Sequence, residues 1–94
     1  MTILAKELII SGKVQGVWYR ASAQDKAISL GLKGWVKNHG HSEVHVWVQG
    51  NKDAIQSFVT WCHDGPRSAE VQSVSEKTVS PQTELKEFSI HEST

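Results

Sequence analysis

The chain has 94 residues, which is enough for one small domain with a single modest core. Its ten basic residues balance its ten acidic ones, so the formal net charge is zero, which argues against a general nucleic-acid binder and against electrostatic docking to a membrane. No apolar run approaches the ~20 residues of a membrane span. The single cysteine, Cys62, excludes a disulfide within the chain, so we expect a reducing, cytoplasmic setting.

The first part of the chain predicts a strand followed by a helix. Residues 4–14 alternate imperfectly between two faces, as in a strand whose one face carries Leu4, Lys6, Leu8 and Ile10. The segment 20–32 then shows helical spacing on a face made of Ala23, Ala27 and Leu30. Gly31 is a typical helix stop.

The middle of the chain predicts two strands joined by a turn. A short strand over residues 33–38 ends at Asn38, and residues 38–42 read as the turn. In residues 43–49 the alternation is clean, with the inward positions Val44, Val46 and Val48. The outward positions of the same strand are Glu43, His45, Trp47 and Gln49.

The last part predicts a second helix and two further strands. Asn51 is a suitable N-cap for a helix whose apolar face, at i, i+3, i+4 and i+7, is Ile55, Phe58, Val59 and Cys62. A fourth strand over 69–79, a loop over 80–84 and a short final strand over 85–90 follow. We therefore predict an α+β sandwich: a ferredoxin-like βαββαβ fold with an additional C-terminal edge strand and both helices on one face of a mainly antiparallel sheet.

The stretch GKVQGVWYR, residues 12–20, is a glycine-rich loop that leaves the first strand and enters the first helix. Such a loop collects unpaired N–H groups at the positive end of a helix dipole, and Gly16 permits them to converge. Arg20 adds a two-pronged guanidinium, so the pattern favours phosphate binding. The alternative is a plain strand-to-helix turn with a solvated Arg20, and spacing alone does not separate the two.

Asn38 is also either a functional or a structural residue, and at the end of a strand an asparagine ordinarily just forms a turn. The pattern around both positions, however, resembles the acylphosphatase family. The motif V-Q-G-V-x-[FY]-R over 14–20 is followed by G-W-V-x-N over 34–38. The similarity continues, over nearly the whole chain, through Gly12, Leu30, Gly31, Leu32, Val44, Gly50, Phe58, Trp61, Gly65, Pro66, Ala69 and Val71.

This resemblance implies one acylphosphatase-like domain over residues 1–94 that hydrolyses the carboxyl–phosphate bond of small acyl phosphates without a metal or other cofactor. It implies that Arg20 binds the phosphoryl group and that Asn38 orients the attacking water. It also implies that backbone N–H groups form a phosphate cradle, so that the substrate-binding residues are Gln15, Gly16, Val17, Trp18, Tyr19 and Arg20. The expected partner is the small-molecule substrate alone, with the protein a monomer that binds neither nucleic acid nor membrane.

Two departures from the family pattern stand out. Trp18 occupies a position where many members carry a smaller residue or Phe, so it could narrow the pocket or stack on an acyl group. His41 and Ser42 stand where many members have Asp-Gly, which weakens the hairpin-turn signal. The last residues, from 91 on, suggest no role.

Other candidate groups point to a structural role. A metal site among His39, His41 and His45 is conceivable, with His41 and His45 on one strand face, but scattered surface imidazoles are the simpler interpretation. His39, beside Asn38, is a weak candidate base. Cys62 fits a buried structural thiol.

Among the aromatic residues, we expect Trp35 and Trp61 in the core, and Trp47 either covers the open sheet face or contacts a partner. Ser22 fits a helix start better than a nucleophile. Two rival functions remain open: an RNA-binding module on the same fold, which needs exposed aromatics and basic surroundings, and one piece of a larger carbamoyl-transfer enzyme.

Overall fold

The structure, a computed structural model, describes residues 2–94. That part of the chain forms five strands and two helices. Their bounds are β1 (Ile3–Lys13), α1 (Tyr19–Ser29), β2 (Lys33–His39), β3 (Glu43–Asn51), α2 (Lys52–Asp64), β4 (Glu70–Val79) and β5 (Phe88–Ile90).

The strands form one sheet in the order β4-β1-β3-β2-β5. Its central pairs are antiparallel: β1 pairs with β3 and with β4, and β2 pairs with β3. The short β5 pairs with β2 in parallel. Both helices lie on one face of this sheet, so the predicted ferredoxin-like architecture with an extra C-terminal edge strand is confirmed.

The core lies between the sheet and the helices, where the predicted inward positions meet. The inner face of β3 is fully buried, and so are Leu8 and Ile10 of β1. From the helices, the predicted apolar faces complete this core, with α1 contributing Ala23 and Ala27 and α2 contributing Ile55, Phe58, Val59 and Cys62. Small alanines on α1 let its backbone approach the sheet closely.

The predicted outward positions of β3 are on the face without helices, but two of them are buried. Trp47 is only 5% exposed. The amide of Gln49 donates to the Gln82 carbonyl at 2.7 Å and its oxygen accepts from the Gln82 N–H at 2.7 Å. The chain between β4 and β5 is thus tied to the helix-free face at Gln49. That segment stays irregular up to Phe88, so the final strand is shorter than the predicted 85–90.

Trp35 is the one tryptophan whose predicted core position is wrong. It lies on the helix-free face, half-buried, stacked on the His91 ring with 5.2 Å between ring centroids. Its neighbour Val36 points the other way and is fully buried. In a strand the direction follows from parity, so only one of two adjacent residues can enter the core. Trp61 does pack against the core, half-buried.

Of the helices in residues 2–94, neither is long and apolar enough to cross a membrane.

Candidate active site

The chain between β1 and α1 has an unusual backbone. Gly16 has φ +72°, and Trp18, the N-cap of α1, has φ +66°. Trp18 is the only residue other than glycine with positive φ among residues 2–94, and a left-handed conformation costs an L-residue roughly 1–2 kcal/mol. Left-handed residues alternating with others is the pattern by which successive N–H groups form an anion-binding concavity.

The N–H groups of this loop are free. None of the backbone N–H groups of residues 15 to 20 has a hydrogen-bond acceptor in the part of the chain that the structure describes. The first N–H with a partner is that of Ser22, which donates to the Trp18 carbonyl at 3.0 Å. Buried or half-buried N–H groups are normally paired, so these donors are available to a ligand.

The start of α1 also lacks the usual internal compensation for its dipole. Trp18 provides no side-chain cap, and the first turn contains no acidic residue. The partial positive charge of the helix N-terminus therefore faces the loop without a carboxylate from the chain itself. An anion is the ligand that fits this end of the helix.

Arg20 stands in the first turn of α1 and lines a cleft of about 410 Å³. It is half-buried, and no carboxylate within residues 2–94 forms an ion pair with it. Its planar guanidinium can offer two parallel N–H bonds to a phosphoryl group. Gly16, Trp18 and Tyr19 of the loop line this same cleft, so the positive charge stands beside residues with free N–H groups.

Asn38 lies near the end of β2 and lines the same cleft. Its side-chain oxygen Oδ1 is buried and has no hydrogen-bond partner among the described residues. Its backbone is held, because Asn38 pairs with Val44 of β3 and its carbonyl accepts from the Thr94 N–H at 2.9 Å. A buried acceptor without a partner is costly, and a bound water in the cleft would satisfy it.

Gln15 positions the loop through its side chain. Its amide Nε2 donates to the carbonyl oxygens of Glu43, Gly40 and His39 at 2.9, 3.1 and 3.3 Å. These contacts fix the loop to the β2–β3 hairpin, next to Asn38. The sequence expectation assigned the backbone N–H group of Gln15 to the phosphate cradle, and the side chain, which faces the hairpin, leaves that N–H group free for a ligand.

The cleft brings together most of the residues singled out from the sequence. Its lining consists of Val14, Gly16, Trp18, Tyr19, Arg20, Ala21, Asn38 and Ile90. Val17 does not line it, because its side chain is buried in the core. The side chain of Tyr19 contributes only a wall, since its hydroxyl donates to the Cys62 carbonyl at 2.7 Å. For Gln15 and Val17, any ligand contact is restricted to the backbone.

Sequence reasoning missed three of the cleft residues, Val14, Ala21 and Ile90, of which only Ile90 is distant in the chain from the loop and from Asn38. Ile90 is 41% exposed and closes β5, which runs parallel to β2 with Ile90 opposite Val36. The tail continues alongside β2, where the His91 N–H donates to the Val36 carbonyl at 2.9 Å. Because residues two apart in a strand face the same side, the buried Phe88 implies that Ile90 faces the helices. Only the pairing of β5 with β2 brings Ile90 to the cleft.

Tyr19 and Cys62 are both held in their neutral forms. Burial raises the pKa of the Tyr19 hydroxyl well above its usual range. Burial likewise raises the pKa of the Cys62 thiol to about 12. A thiolate is therefore not formed near neutral pH, and the prediction that Cys62 is a buried structural residue is confirmed.

The histidines of the hairpin lie outside the cleft. The residue that shares a strand face with His45 is His39, with 4.3 Å between ring centroids, and not His41 as the sequence suggested. The reason is that β2 continues to His39, so that His41 falls in the turn. Asn38 and His39 are adjacent in a strand and point to opposite faces of the sheet, which removes His39 as a base in the cleft.

Comparison with known proteins gives a consistent result. The acylphosphatase family model matches residues 6–90. The acylphosphatase of Marinobacter nauticus is 41% identical over 88 residues, which cover 94% of this chain and 96% of that protein. The solved acylphosphatase structure from Coxiella burnetii has a TM-score of 0.90 at 34% identity, with 95% of this chain and 93% of that chain covered. For the crystal structure of acylphosphatase from Bacillus subtilis the values are 0.89 and 33%, with 94% and 98% covered.

Proposed function

The chain belongs to the acylphosphatase family and hydrolyses acyl phosphates, and from this premise we propose which of its residues perform the reaction. The free N–H groups of residues 15 to 20 and the guanidinium of Arg20 bind the phosphoryl group. Asn38 holds the attacking water. The observation that carries this proposal is the buried, unpartnered Oδ1 of Asn38, which lines the same cleft as Arg20.

The chemistry asks for little more than these groups. The leaving group is a carboxylate whose conjugate acid has a pKa of about 4, so no general acid is required to expel it. A loose transition state needs little prior deprotonation of the water. The protein's contribution is thus stabilisation of the phosphoryl charge and placement of the nucleophile. On this proposal no step requires a metal or another cofactor.

Each group has a definite role in the step. Donors from the loop and Arg20 stabilise the charge on the non-bridging oxygens, and each aimed donor is worth about 10²–10³ in rate. The Asn38 oxygen accepts one hydrogen bond from the water and so orients its lone pair toward phosphorus. The proton of the water passes to a phosphoryl oxygen as the P–O bond to the carboxylate breaks, and the products are a carboxylate and inorganic phosphate.

The acyl group of the substrate has an apolar wall to rest on. Trp18 is 79% exposed and Ile90 is 41% exposed, and both line the cleft beside Arg20. We assign them to the acyl portion of the substrate, with a preference for aromatic or bulky acyl groups. Trp18→Asn, which keeps a residue tolerant of left-handed backbone, should lower the ratio of kcat/KM for benzoyl phosphate over acetyl phosphate, and an unchanged ratio contradicts this assignment.

We further propose that the protein acts as a monomer in the cytoplasm and binds no nucleic acid. Its exposed large apolar side chains are divided among β1, α1 and the cleft, and single exposed apolar residues are normal on a monomer. The buried free thiol of Cys62 suits a reducing compartment. The zero net charge gives no attraction to a polyanion.

The chain offers matched controls for a kinetic test. Arg67 and Asn51 duplicate the chemistry of Arg20 and Asn38 outside the cleft. Hydrolysis of benzoyl phosphate is measured with a chelator present for Arg20→Gln, Arg67→Gln, Asn38→Ala and Asn51→Ala. We expect losses in kcat/KM of at least about 10³-fold for Arg20→Gln and about 10²-fold for Asn38→Ala, with both controls near wild type. Folded Arg20 and Asn38 variants that retain full activity would overturn the proposed roles.

A further inference from the structure

The helix-free face of the β2–β3 hairpin carries a group of side chains that the hydrolytic site does not use. His39 of β2 and Glu43 and His45 of β3 each offer a ligand atom, and these atoms all lie within 4.8 Å of one another. We propose that this triad, His39-Glu43-His45, is a binding site for a divalent transition-metal ion such as Zn²⁺.

Strand geometry accounts for the convergence. His39 is the register partner of Glu43 across the antiparallel pair, and Glu43 and His45 are two residues apart on one strand, hence on one face. The three side chains therefore form a triangle on the sheet surface. Two imidazoles and one carboxylate are a ligand set that Zn²⁺ takes, leaving a fourth position for water.

Binding requires the His39 ring to turn, because it is stacked on the His45 ring with 4.3 Å between centroids, and the in-plane lone pairs of two stacked imidazoles do not meet at one ion. With metal–ligand bonds of about 2.0–2.2 Å, tetrahedral ligand atoms are roughly 3.4 Å apart. The Nε2 of His45 and the Oε1 of Glu43 are already 3.0 Å apart. His39 is exposed, so its ring can turn toward the other two without displacing the core.

A neighbouring group prepares His39 for this role. Its Nδ1 lies 3.0 Å from the Oγ1 of Thr94. When Nδ1–H donates to that hydroxyl, the lone pair is placed on Nε2, which is how outer hydrogen bonds orient metal-bound histidines. The closest strand neighbour with a positive charge, Lys37, has its Nζ over the Trp35 ring at 5.3 Å from the centroid, so its ammonium has a partner of its own.

The experiment is titration of the full chain with Zn²⁺ by calorimetry, and with Co²⁺ by visible absorption, which reports coordination directly. We expect one equivalent to bind at pH 7. Glu43→Gln and His45→Ala should each weaken binding at least about tenfold, since even loss of a supporting outer group costs about 10–100-fold. His41→Ala, in the turn, and His63→Ala, at the end of α2, should bind like wild type.

The outcomes separate cleanly. Circular dichroism establishes that each variant is folded, and Glu43→Gln keeps the shape of the side chain should His45→Ala disturb the stacked rings. The proposal is overturned if the wild type shows no saturable binding, or if the Glu43 and His45 variants bind the metal as tightly as the wild type. The triad is then a hydrogen-bonded surface cluster. Benzoyl phosphate hydrolysis does not enter this test, so its result is independent of the proposed hydrolytic roles.

Discussion

Two junctions in this molecule lead from a strand into a helix, and they are built in opposite ways. At the start of α2 the Asn51 side chain accepts from the Asp53 N–H at 2.9 Å, the Lys52 N–H donates to the Thr2 carbonyl at 3.1 Å, and Asp53 adds a negative charge to the first turn. At the start of α1 there is neither a side-chain cap nor an acidic residue.

The difference shows which of the two helix starts has N–H groups left for a ligand. A helix N-terminus leaves its first N–H groups unpaired, and the chain can satisfy them itself or leave them to a ligand. At the start of α2 the chain itself supplies acceptors for the N–H groups of Lys52 and Asp53. α1 leaves its donors free, adds Arg20, and accepts a left-handed Trp18 that costs roughly 1–2 kcal/mol. This contrast supports the proposal that the phosphoryl group binds at the start of α1 and not at the start of α2.

After loss of the Arg20 guanidinium itself, the largest effect at the two junctions is expected from a methyl group at the loop. Gly16 and Gly31 both have φ +72°, and a Cβ at either would meet no atom within 4 Å. Gly16→Ala and Gly31→Ala should therefore lose similar stability, about 1 kcal/mol in chemical denaturation. Gly16 lines the cleft and Gly31 does not, so only Gly16→Ala should lower kcat/KM, by about 100-fold. Equal activity of the two variants would mean that the loop is merely a turn.

A second prediction concerns a substitution that gives the start of α1 an acidic side chain, as the start of α2 has. Trp18→Asp puts a carboxylate at the α1 N-cap, and Trp18→Asn is its neutral counterpart, with both residues tolerant of left-handed backbone. The added charge competes with the phosphoryl group for the same donors. We expect a KM for benzoyl phosphate about tenfold higher in the Asp variant than in the Asn variant. If KM is the same in both, the helix terminus does not contact the substrate.

The smallest effect is expected at the second junction. Asn51→Ala removes the α2 cap and should cost about 1 kcal/mol in the free energy of unfolding. It should leave kcat/KM unchanged, because no part of that cap lines the cleft. Urea denaturation and hydrolysis of benzoyl phosphate measure the two quantities. A loss of activity without a loss of stability would contradict the claim that the start of α2 stabilises the fold and takes no part in hydrolysis.

Much of the fold was predictable because its periodic signals are strong. The alternation of β3 and the apolar face of α2 locate these elements closely, and Asn51 was recognised as the α2 cap. The start of β5 was wrong, because residues 85–87 carry no signal for the tie at Gln49 that keeps this segment irregular. Trp35 was placed in the core because hydrophobicity alone does not decide which of two neighbours in a strand points inward.

Cleft residues that stand in contiguous motifs could be predicted from the sequence, and those brought in by long-range pairing could not. Arg20 and Asn38 both stand in such motifs, and both line the cleft. Ile90 reaches the cleft only through the parallel pairing of β5 with β2, which no local pattern announces. The position of the hairpin turn determines which histidine lies beside His45. Because β2 extends one residue further than predicted, to His39, that neighbour is His39 and not His41.

The most direct measurement is a titration of the ¹⁵N-labelled protein with inorganic phosphate, followed by amide NMR spectra. The N–H groups of residues 15 to 20 and those of residues 52 to 54 report on the two junctions within one sample. The account predicts large, saturable shifts at residues 15 to 20, lost in Arg20→Gln, and none at residues 52 to 54. Inhibition by phosphate without shifts at residues 15 to 20, or equal shifts at both junctions, would contradict it.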